Sequence, residues 1–392
     1  MATSNILIIF AVSLFVSFVL SELFHRYNYP RVIGQLLAGI LLGIPFIRTV
    51  FTPSVMDDIS FLADLGIIFL LMLAGMEINI EKLKRSEKSA FIIAVFCALV
   101  PFSLGFLFAK YIGYSTIVSL ILGICLSLTA EGTTLKVLLD MNVLNTKVGT
   151  TILGAGIIDD IFEVIFLSII LIISHESIEK LIWFPIKLVA FIILVYVIFK
   201  LMPTLLRLIR KEHSRTATFS IIIIFGLMVA ILSQGLELGP IVGAFIAGVI
   251  IQMRDKDKHE EREIVKELKV MTFAFIIPFF FINIGLHMNF SALMANIWLV
   301  LFVLILAVLG KVVGAMVVTP LTDLSLTQTH IVGWGMNSRG AVELVIAEIA
   351  RANGLIPIEI YSAVVIMAIT TTLMFPFVLR YYVNKHRHAL DE

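Results

Sequence analysis

Two adjacent aspartates, Asp159 and Asp160, lie inside an apolar stretch that is long enough to cross a membrane. A charge at the middle of a bilayer costs at least ~2.5–3.5 kcal/mol on insertion scales, so carboxylates at that depth indicate a water-lined or ion-binding site. Because the two residues are consecutive on a helix, their side chains diverge by about 100°. One carboxylate can therefore face a cavity, where protons and cations compete for it, while the other turns towards a neighbouring helix.

Three further charges lie in comparably apolar surroundings, namely Glu131, Lys311 and Arg339. Lys311 is a natural partner for one of the two aspartates, because each charge offsets the cost of burying the other. Separation of that pair when an ion binds would release a proton. The alternative is a buried ion pair with a purely structural role, and for Glu131 and Arg339 a structural salt bridge stays equally open.

Sodium and potassium prefer hard oxygen ligands. The sequence predicts such ligands from Asp160 and Asp159, from the hydroxyl groups of Thr129 and Thr133, and from backbone carbonyls near residues 127–133. Soft or imidazole-rich metal-ligand spacing is absent from the sequence, and we expect no cofactor. An intramembrane aspartyl protease is excluded, because that chemistry needs two aspartates that converge from separate helices.

The composition places these charges in a polytopic membrane protein. The 392 residues are 60% hydrophobic and 15% charged, whereas soluble domains have about 45–50% apolar and about 25% charged residues. A span needs ~20 predominantly apolar residues. On that rule we predict thirteen helices, at 5–24, 30–46, 58–77, 88–111, 115–138, 147–173, 181–206, 216–235, 239–253, 268–287, 293–319, 327–350 and 356–381.

The distribution of basic residues predicts the orientation. The loops after the odd-numbered spans 1 to 9, together with the span ends that adjoin them and the C-terminal tail, hold 22 of the 29 Lys and Arg residues. By the positive-inside rule we expect a cell-membrane protein with its N-terminus outside and its C-terminus in the cytoplasm. Asp64 falls near the start of predicted span 3, where interfacial placement is the default interpretation.

The first half of the chain also resembles the second half in sequence. Residues 32–40 (VIGQLLAGI) match residues 241–249 (IVGAFIAGV), and residues 75–80 match residues 285–290 at nearly the same offset. The offset covers seven predicted spans, an odd number, so the two copies are inverted in the membrane. Two inverted six-helix repeats, spans 1–6 and 8–13 with span 7 as a linker, are the plan of many secondary transporters.

Two stretches at equivalent positions of the repeats favour interrupted helices. Residues 127–134 (SLTAEGTT) and 333–340 (GWGMNSRG) are rich in Gly, Ser, Thr and Asn, which are poor helix formers whose side chains can bond freed backbone groups. Interrupted spans in two inverted halves indicate a transporter's binding site. The alternative is that the small residues serve only close helix packing.

The stretch LSLTAEGTTLKVLLDMNVLNTKVGTTILGAGIIDDIFEVI, with FLADLGIIFLLMLAGMEIN and NSRGAVELVIAE, resembles the monovalent cation/proton antiporter-2 superfamily. The likeness is to its sodium/proton antiporters of the NhaA and NapA type and their potassium-efflux relatives. It implies that Asp160 is the obligatory ion-binding carboxylate. It also implies that Asp159 pairs with Lys311 and carries a second proton, which makes exchange electrogenic. A Glu131–Arg339 pair is more typical of some eukaryotic and electroneutral members.

The same resemblance implies an NhaA-like fold with two crossing broken helices, in a homodimer that works by an elevator motion. The implied dimerisation domain is formed by residues 1–87 and 215–290, and the implied core ion-transport domain by residues 88–175 and 291–392, which include a short tail. Residues 176–214 are the implied linker helix. Since the sequence has no nucleotide-binding domain after the last span, sodium or lithium is favoured over regulated potassium efflux.

We therefore expect a sodium/proton antiporter and not an enzyme, with monovalent cations, protons and the lipid bilayer as its partners and no nucleic acid. A potassium/proton antiporter on the same scaffold is the nearest alternative. A sodium-coupled symporter of an organic anion is more remote, because Arg339 is the only residue that suggests an anion site.

Overall fold

The computed structural model describes most of the chain. The described residues are 2–27, 29–77, 88–174, 186–187, 189–191, 193–198, 200, 215–236, 238–254 and 266–390. Predicted span 7 (181–206) lies partly outside these ranges, so the count of thirteen helices stays a prediction.

The described residues form helices joined by short turns, and no strand occurs among them. In chain order the helices are α1 Ala2–Arg26, α2 Arg31–Leu42, α3 Pro45–Arg48, α4 Pro53–Glu77, α5 Lys88–Tyr111, α6 Thr116–Ser127, α7 Glu131–Asp140, α8 Lys147–Ser174, α9 Arg215–Gly235, α10 Pro240–Arg254, α11 Lys266–His287, α12 Phe290–Ala295, α13 Ile297–Val317, α14 Leu326–Gly335, α15 Ala341–Ala352 and α16 Ile358–Lys385. A π-helical turn, Thr272–Ile276, lies within α11.

Six of the described helices are long and apolar enough to cross a membrane by length and composition: α1, α4, α5, α11, α13 and α16. The prediction of an all-helical chain with several membrane-crossing helices is confirmed. Predicted spans 5 and 12 are each divided into two short helices, α6 with α7 and α14 with α15. The inverted relation between the two halves of the sequence stays a prediction.

The start of α4 differs from the prediction. The apolar pattern places the start of this span at residue 58, whereas the helix begins five residues earlier, at Pro53. Proline suits the first turn because its missing N–H would have no partner there. Asp57 and Asp58 follow within the first two turns, where the helix dipole favours negative charge.

The chain divides into two compact units. Unit 1 comprises residues 1–78 and 171–287, and contains α1–α4 and α9–α11. Unit 2 comprises residues 79–170 and 288–392, and contains α5–α7, most of α8 and α12–α16. The assignment of dimerisation, linker and transport roles to the sequence ranges stays a prediction.

Unit 2 has a close contact between the backbones of α5 and α13. A Cβ atom added at Gly310 would lie 2.7 Å from the Cα atom of Pro101, and one added at Gly314 would lie 2.6 Å from the carbonyl oxygen of Phe96. Real Cβ atoms do not approach so closely, so both positions require glycine. The contact fixes the position of α13 along α5. It therefore also fixes the position of Lys311, which directly follows Gly310.

Unit 1 is built around α4, which packs against α10 and α11. Its buried apolar side chains include Phe69, Met72 and Leu73 of α4 and Ile222 and Ala244 of the helices around it. Burial of such side chains is the main source of cohesion in each unit, at roughly 25 cal/mol per Å² of apolar surface.

Candidate ion-binding site

Two interruptions in the helices of unit 2 create the candidate site. Helix α6 ends at Ser127 and α7 begins at Glu131, with extended backbone at Leu128 (φ −76°, ψ 158°) and Ala130 (φ −91°, ψ 100°). Helix α14 ends at Gly335 and α15 begins at Ala341. Each break falls within a stretch of poor helix formers, and the backbone groups that it frees need other partners.

The two breaks lie against each other. The amide of Ala130 donates to the carbonyl of Ser338 over 2.9 Å. The hydroxyl of Thr129 donates to the carbonyl of Met336 over 3.2 Å, and that of Thr134 donates to the carbonyl of Gly335 over 3.0 Å. The carbonyls at the end of α14 are therefore satisfied by the other broken helix, and the two breaks form one hydrogen-bonded body.

Lys311 of α13 and Asp159 of α8 meet beside these breaks. The Lys311 Nζ atom lies 3.6 Å from Asp159 Oδ1, and both side chains are completely buried. The same Nζ atom donates to Thr129 Oγ1 over 2.6 Å. Among the described residues, neither carboxylate oxygen of Asp159 accepts a hydrogen bond. The ammonium therefore lies closer to the hydroxyl than to the carboxylate, and both carboxylate oxygens keep their capacity to accept a hydrogen bond or to bind a cation.

The second aspartate has a different environment. Asp160 is half-buried, whereas Asp159 is completely buried. The two side chains differ in burial because consecutive residues of a helix point about 100° apart. Glu163, one turn beyond Asp159, is also buried, at 8% exposure. Helix α8 thus presents one enclosed carboxylate beside Lys311 and one that is partly exposed.

Arg339 lies in the break between α14 and α15 and is 1% exposed. Its guanidinium donates to the carbonyl of Leu128, directly after α6, and over 3.2 Å to the carbonyl of Ala307 in α13. A cation is favoured at the C-terminal end of a helix, where the carbonyls carry partial negative charge. Arg339 therefore joins both breaks to the helix that carries Lys311.

The remaining predicted residues have simpler placements. Thr133 is half-buried in the first turn of α7. Glu131 is the first residue of α7, and its side chain lies outside what the structure describes, so the predicted Glu131–Arg339 pair stays a prediction. Glu343, buried one turn beyond Arg339, accepts a 2.5 Å hydrogen bond from the amide of Gly340 and so caps the start of α15.

Three residues of the site have no place in the sequence-based prediction. Thr134 bridges the two breaks, Thr372 donates to the carbonyl of Arg339 over 2.9 Å, and the Cys97 thiol donates to the carbonyl of Lys311 over 3.5 Å. Thr134 follows the predicted Thr133 directly and could have been included. Nothing in the sequence around Thr372 or Cys97 indicates their contacts, which depend on packing between distant segments.

A small cavity of about 10 Å³, the space of about one water molecule, lies beside the breaks. Its lining includes Thr129, Thr134, Gly156, Gly335 and Met336. Gly156 precedes Asp159 by three residues, so the cavity provides space within one helical turn of the buried carboxylate.

Comparison with known proteins places this geometry in a family. Residues 10–385 match the sodium/hydrogen exchanger family, transmembrane region. A Na⁺/H⁺ antiporter of Enterococcus hirae is 32% identical over 372 residues, which cover 93% of this chain and 94% of that protein. The Na⁺/H⁺-K⁺ antiporter GerN of Bacillus cereus is 28% identical over 357 residues, which cover 91% of this chain and 90% of GerN.

The fold also matches a solved structure. The sodium proton antiporter MjNhaP1 of Methanocaldococcus jannaschii at pH 8 superposes with a TM-score of 0.70 at 16% sequence identity, over the whole of both chains. At that identity the likeness concerns the fold alone. The family match over most of the sequence carries the assignment: the chain belongs to the sodium/hydrogen exchanger family, whose members are membrane transporters and not enzymes.

Proposed function

We propose that the protein is a proton-coupled sodium antiporter of the cell membrane, in which Na⁺ and protons compete for Asp159 and Asp160. The observation that carries the proposal is the buried Lys311 ammonium, 3.6 Å from Asp159 and hydrogen-bonded to Thr129 beside two interrupted helices. A purely structural ion pair explains this arrangement poorly, since replacing a buried pair with apolar residues is often neutral or stabilising.

The competition follows from charge. A cation that enters at the half-buried Asp160 displaces the proton of that carboxyl group into water. The cation also binds Asp159, where it replaces the ammonium as the counter-charge of that carboxylate. Lys311 is then a buried charge without compensation, which is costly, so it gives up a proton while Thr129 keeps its nitrogen in place. Return of protons to the lysine and to Asp160 expels the cation on the other side. Two protons then cross for each sodium ion, and one net charge moves in each cycle.

The proposal extends to alternating access by an elevator motion. Asp159, Asp160 and Lys311 all belong to unit 2, and hydrogen bonds tie its two broken helices into one body. A site held within one body can move through the bilayer without losing its geometry. We assign dimerisation to unit 1 and an inverted-repeat origin to the two breaks. The adjacent aspartates with a lysine on α13 support placement among the antiporters of the NhaA and NapA type.

The test is exchange in proteoliposomes that carry a pH-sensitive dye. Pulses of Na⁺ or Li⁺ should change the internal pH with the wild-type protein, and Asp160→Asn should abolish the response. Asp140→Asn is the matched control, because it makes the same chemical change in an exposed ion pair with Arg380 (3.3 Å) at the end of α7. Full-rate exchange by Asp160→Asn would refute the proposal.

Potassium/proton exchange is the second candidate, and the name of GerN favours it, since that relative is a Na⁺/H⁺-K⁺ antiporter. The same assay with K⁺ pulses separates the two. Sodium selectivity requires a clear response to Na⁺ and Li⁺ at concentrations where K⁺ produces none. An equal or larger response to K⁺ would establish the second candidate.

A further inference from the structure

A completely buried carboxylate of unit 2, that of Glu343, has no role in the exchange cycle proposed above. Glu343 is 0% exposed in the first turn of α15. Its Oε1 atom accepts a hydrogen bond from the amide of Gly340, whereas its Oε2 atom has no hydrogen-bond partner among the described residues. A glutamine at this position of a helix can form the same cap. The cap therefore explains the side chain of Glu343 but not its charge.

The neighbouring cation, Arg339, is held by carbonyl oxygens. Its guanidinium donates to the carbonyls of Leu128 and Ala307. Carbonyls carry only partial charges, and Arg339 is 1% exposed, so its full positive charge needs a further counter-charge inside the protein. Among the charged side chains around Arg339, Glu343 acts on it most strongly, ahead of Asp159 and Glu163.

Arg339 contacts α13 one turn before Lys311. The carbonyl of Ala307, to which Arg339 donates over 3.2 Å, stands four residues before Lys311. Four residues of a helix rise about 6 Å, which places the guanidinium on the order of 10 Å from the ammonium of Lys311. The charges of Arg339 and Glu343 both act on Lys311. Any change in the balance between these two charges therefore also reaches the Lys311–Asp159 pair.

We propose that Glu343 is a positioning residue of the exchange site: its negative charge balances Arg339 and so sets the affinity for Na⁺ and the pH range of exchange. The inference rests on the proposed antiport function. Without that charge, the guanidinium makes the potential at Asp159 more positive, so Na⁺ and protons both bind less tightly. The other groups that act on Glu343 or Arg339 are Lys311 of α13, Cys125 of α6, Asp159 and Glu163 of α8, and the uncharged Thr372 of α16.

Glu343→Gln separates the charge from the cap, because the amide oxygen of glutamine can still accept the Gly340 amide. In proteoliposomes we expect the KM for Na⁺ at alkaline pH to rise by roughly tenfold. Half-maximal exchange on the acid side should move to lower pH by about one unit. Glu359→Gln is the matched control, since it makes the same change in the first turn of α16, beside Tyr114. It should leave both values unchanged, and equal shifts in the two variants would overturn the inference.

Glu343→Asp makes the opposite separation, because it keeps the charge while its shorter side chain weakens the cap. It should unfold at a lower temperature in detergent but keep a KM and a pH profile close to those of wild type. If Glu343→Asp reproduces the shifts of Glu343→Gln, the role of Glu343 is structural and the inference fails. Should Glu343→Gln not fold, Glu343→Gln/Arg339→Gln removes both charges and should restore folding. Failure of that double variant to fold would overturn the charge balance.

The wild-type protein distinguishes this inference from the antiport function. Absence of a Na⁺-driven pH change in wild type would refute the antiport function, and this inference with it. Exchange by wild type, together with an unchanged KM and pH profile in folded Glu343→Gln, would refute the role of Glu343 alone.

Discussion

Replacing Lys311 with methionine removes the ammonium and leaves the Asp159 carboxylate buried without its counter-charge. The two charged groups are 3.6 Å apart and completely buried. At an effective dielectric constant of 20, unit charges at that distance attract each other by about 4–5 kcal/mol. Loss of one partner of a buried pair costs about 3–5 kcal/mol, so Lys311→Met should destabilise the protein strongly.

The double variant Asp159→Asn/Lys311→Met removes both charges and should recover most of that loss. The reason is that a neutral pair at these positions leaves no uncompensated charge behind. Thermal unfolding in detergent, followed by loss of the monodisperse protein, ranks the three proteins. We expect wild type and the double variant to unfold at similar temperatures and Lys311→Met well below both. If the double variant is no more stable than Lys311→Met, the charge-pair argument is refuted.

The double variant also tests the transport cycle, because Asp160 remains as its single proton carrier. Exchange should continue but without net charge movement, so a sodium pulse should produce a pH change and no current. A charge that crosses a potential of 100 mV gains ~2.3 kcal/mol, which corresponds to a roughly 50-fold difference in the sodium gradient that can be sustained. A current like that of wild type would show that Lys311 and Asp159 do not carry the second proton.

Three further substitutions test the positioning of the site. Gly310→Ala places a Cβ atom 2.7 Å from the Cα of Pro101, so we expect a loss of about 1–3 kcal/mol in stability and slower exchange. Leu309→Ala, at a residue 51% exposed on the same helix, should show neither effect. Thr129→Val removes the acceptor of a 2.6 Å charged hydrogen bond, worth about 1.5–3 kcal/mol. Thr129→Val should slow exchange, whereas Thr129→Ser, which keeps the hydroxyl, should not. Equal exchange rates for the two variants would contradict a role of the hydroxyl in holding Lys311. Gln328→Ala removes the 2.8 Å hydrogen bond that the Gln328 side chain donates to the carbonyl of Ala389. It should cost about 0.5–1.5 kcal/mol and speed hydrogen exchange in residues 386–390, whereas unchanged protection would contradict it.

The features that sequence alone determined are those that depend on local chemistry. Asp159, Asp160, Lys311 and Arg339 stand out because the cost of placing a charge in an apolar span is set by the residue and its near neighbours. The interruption between α6 and α7 also follows from local composition, because poor helix formers are concentrated there. Family membership follows from the same local patterns, and the match over residues 10–385 confirms it at the level of the sodium/hydrogen exchangers.

Tertiary structure alone decided which groups meet. The hydrogen bond from Lys311 to Thr129 joins residues 182 positions apart, and the one from Arg339 to Leu128 joins residues 211 positions apart. No local pattern selects a hydroxyl or a carbonyl at such separation, because the choice depends on how closely the helix backbones pack.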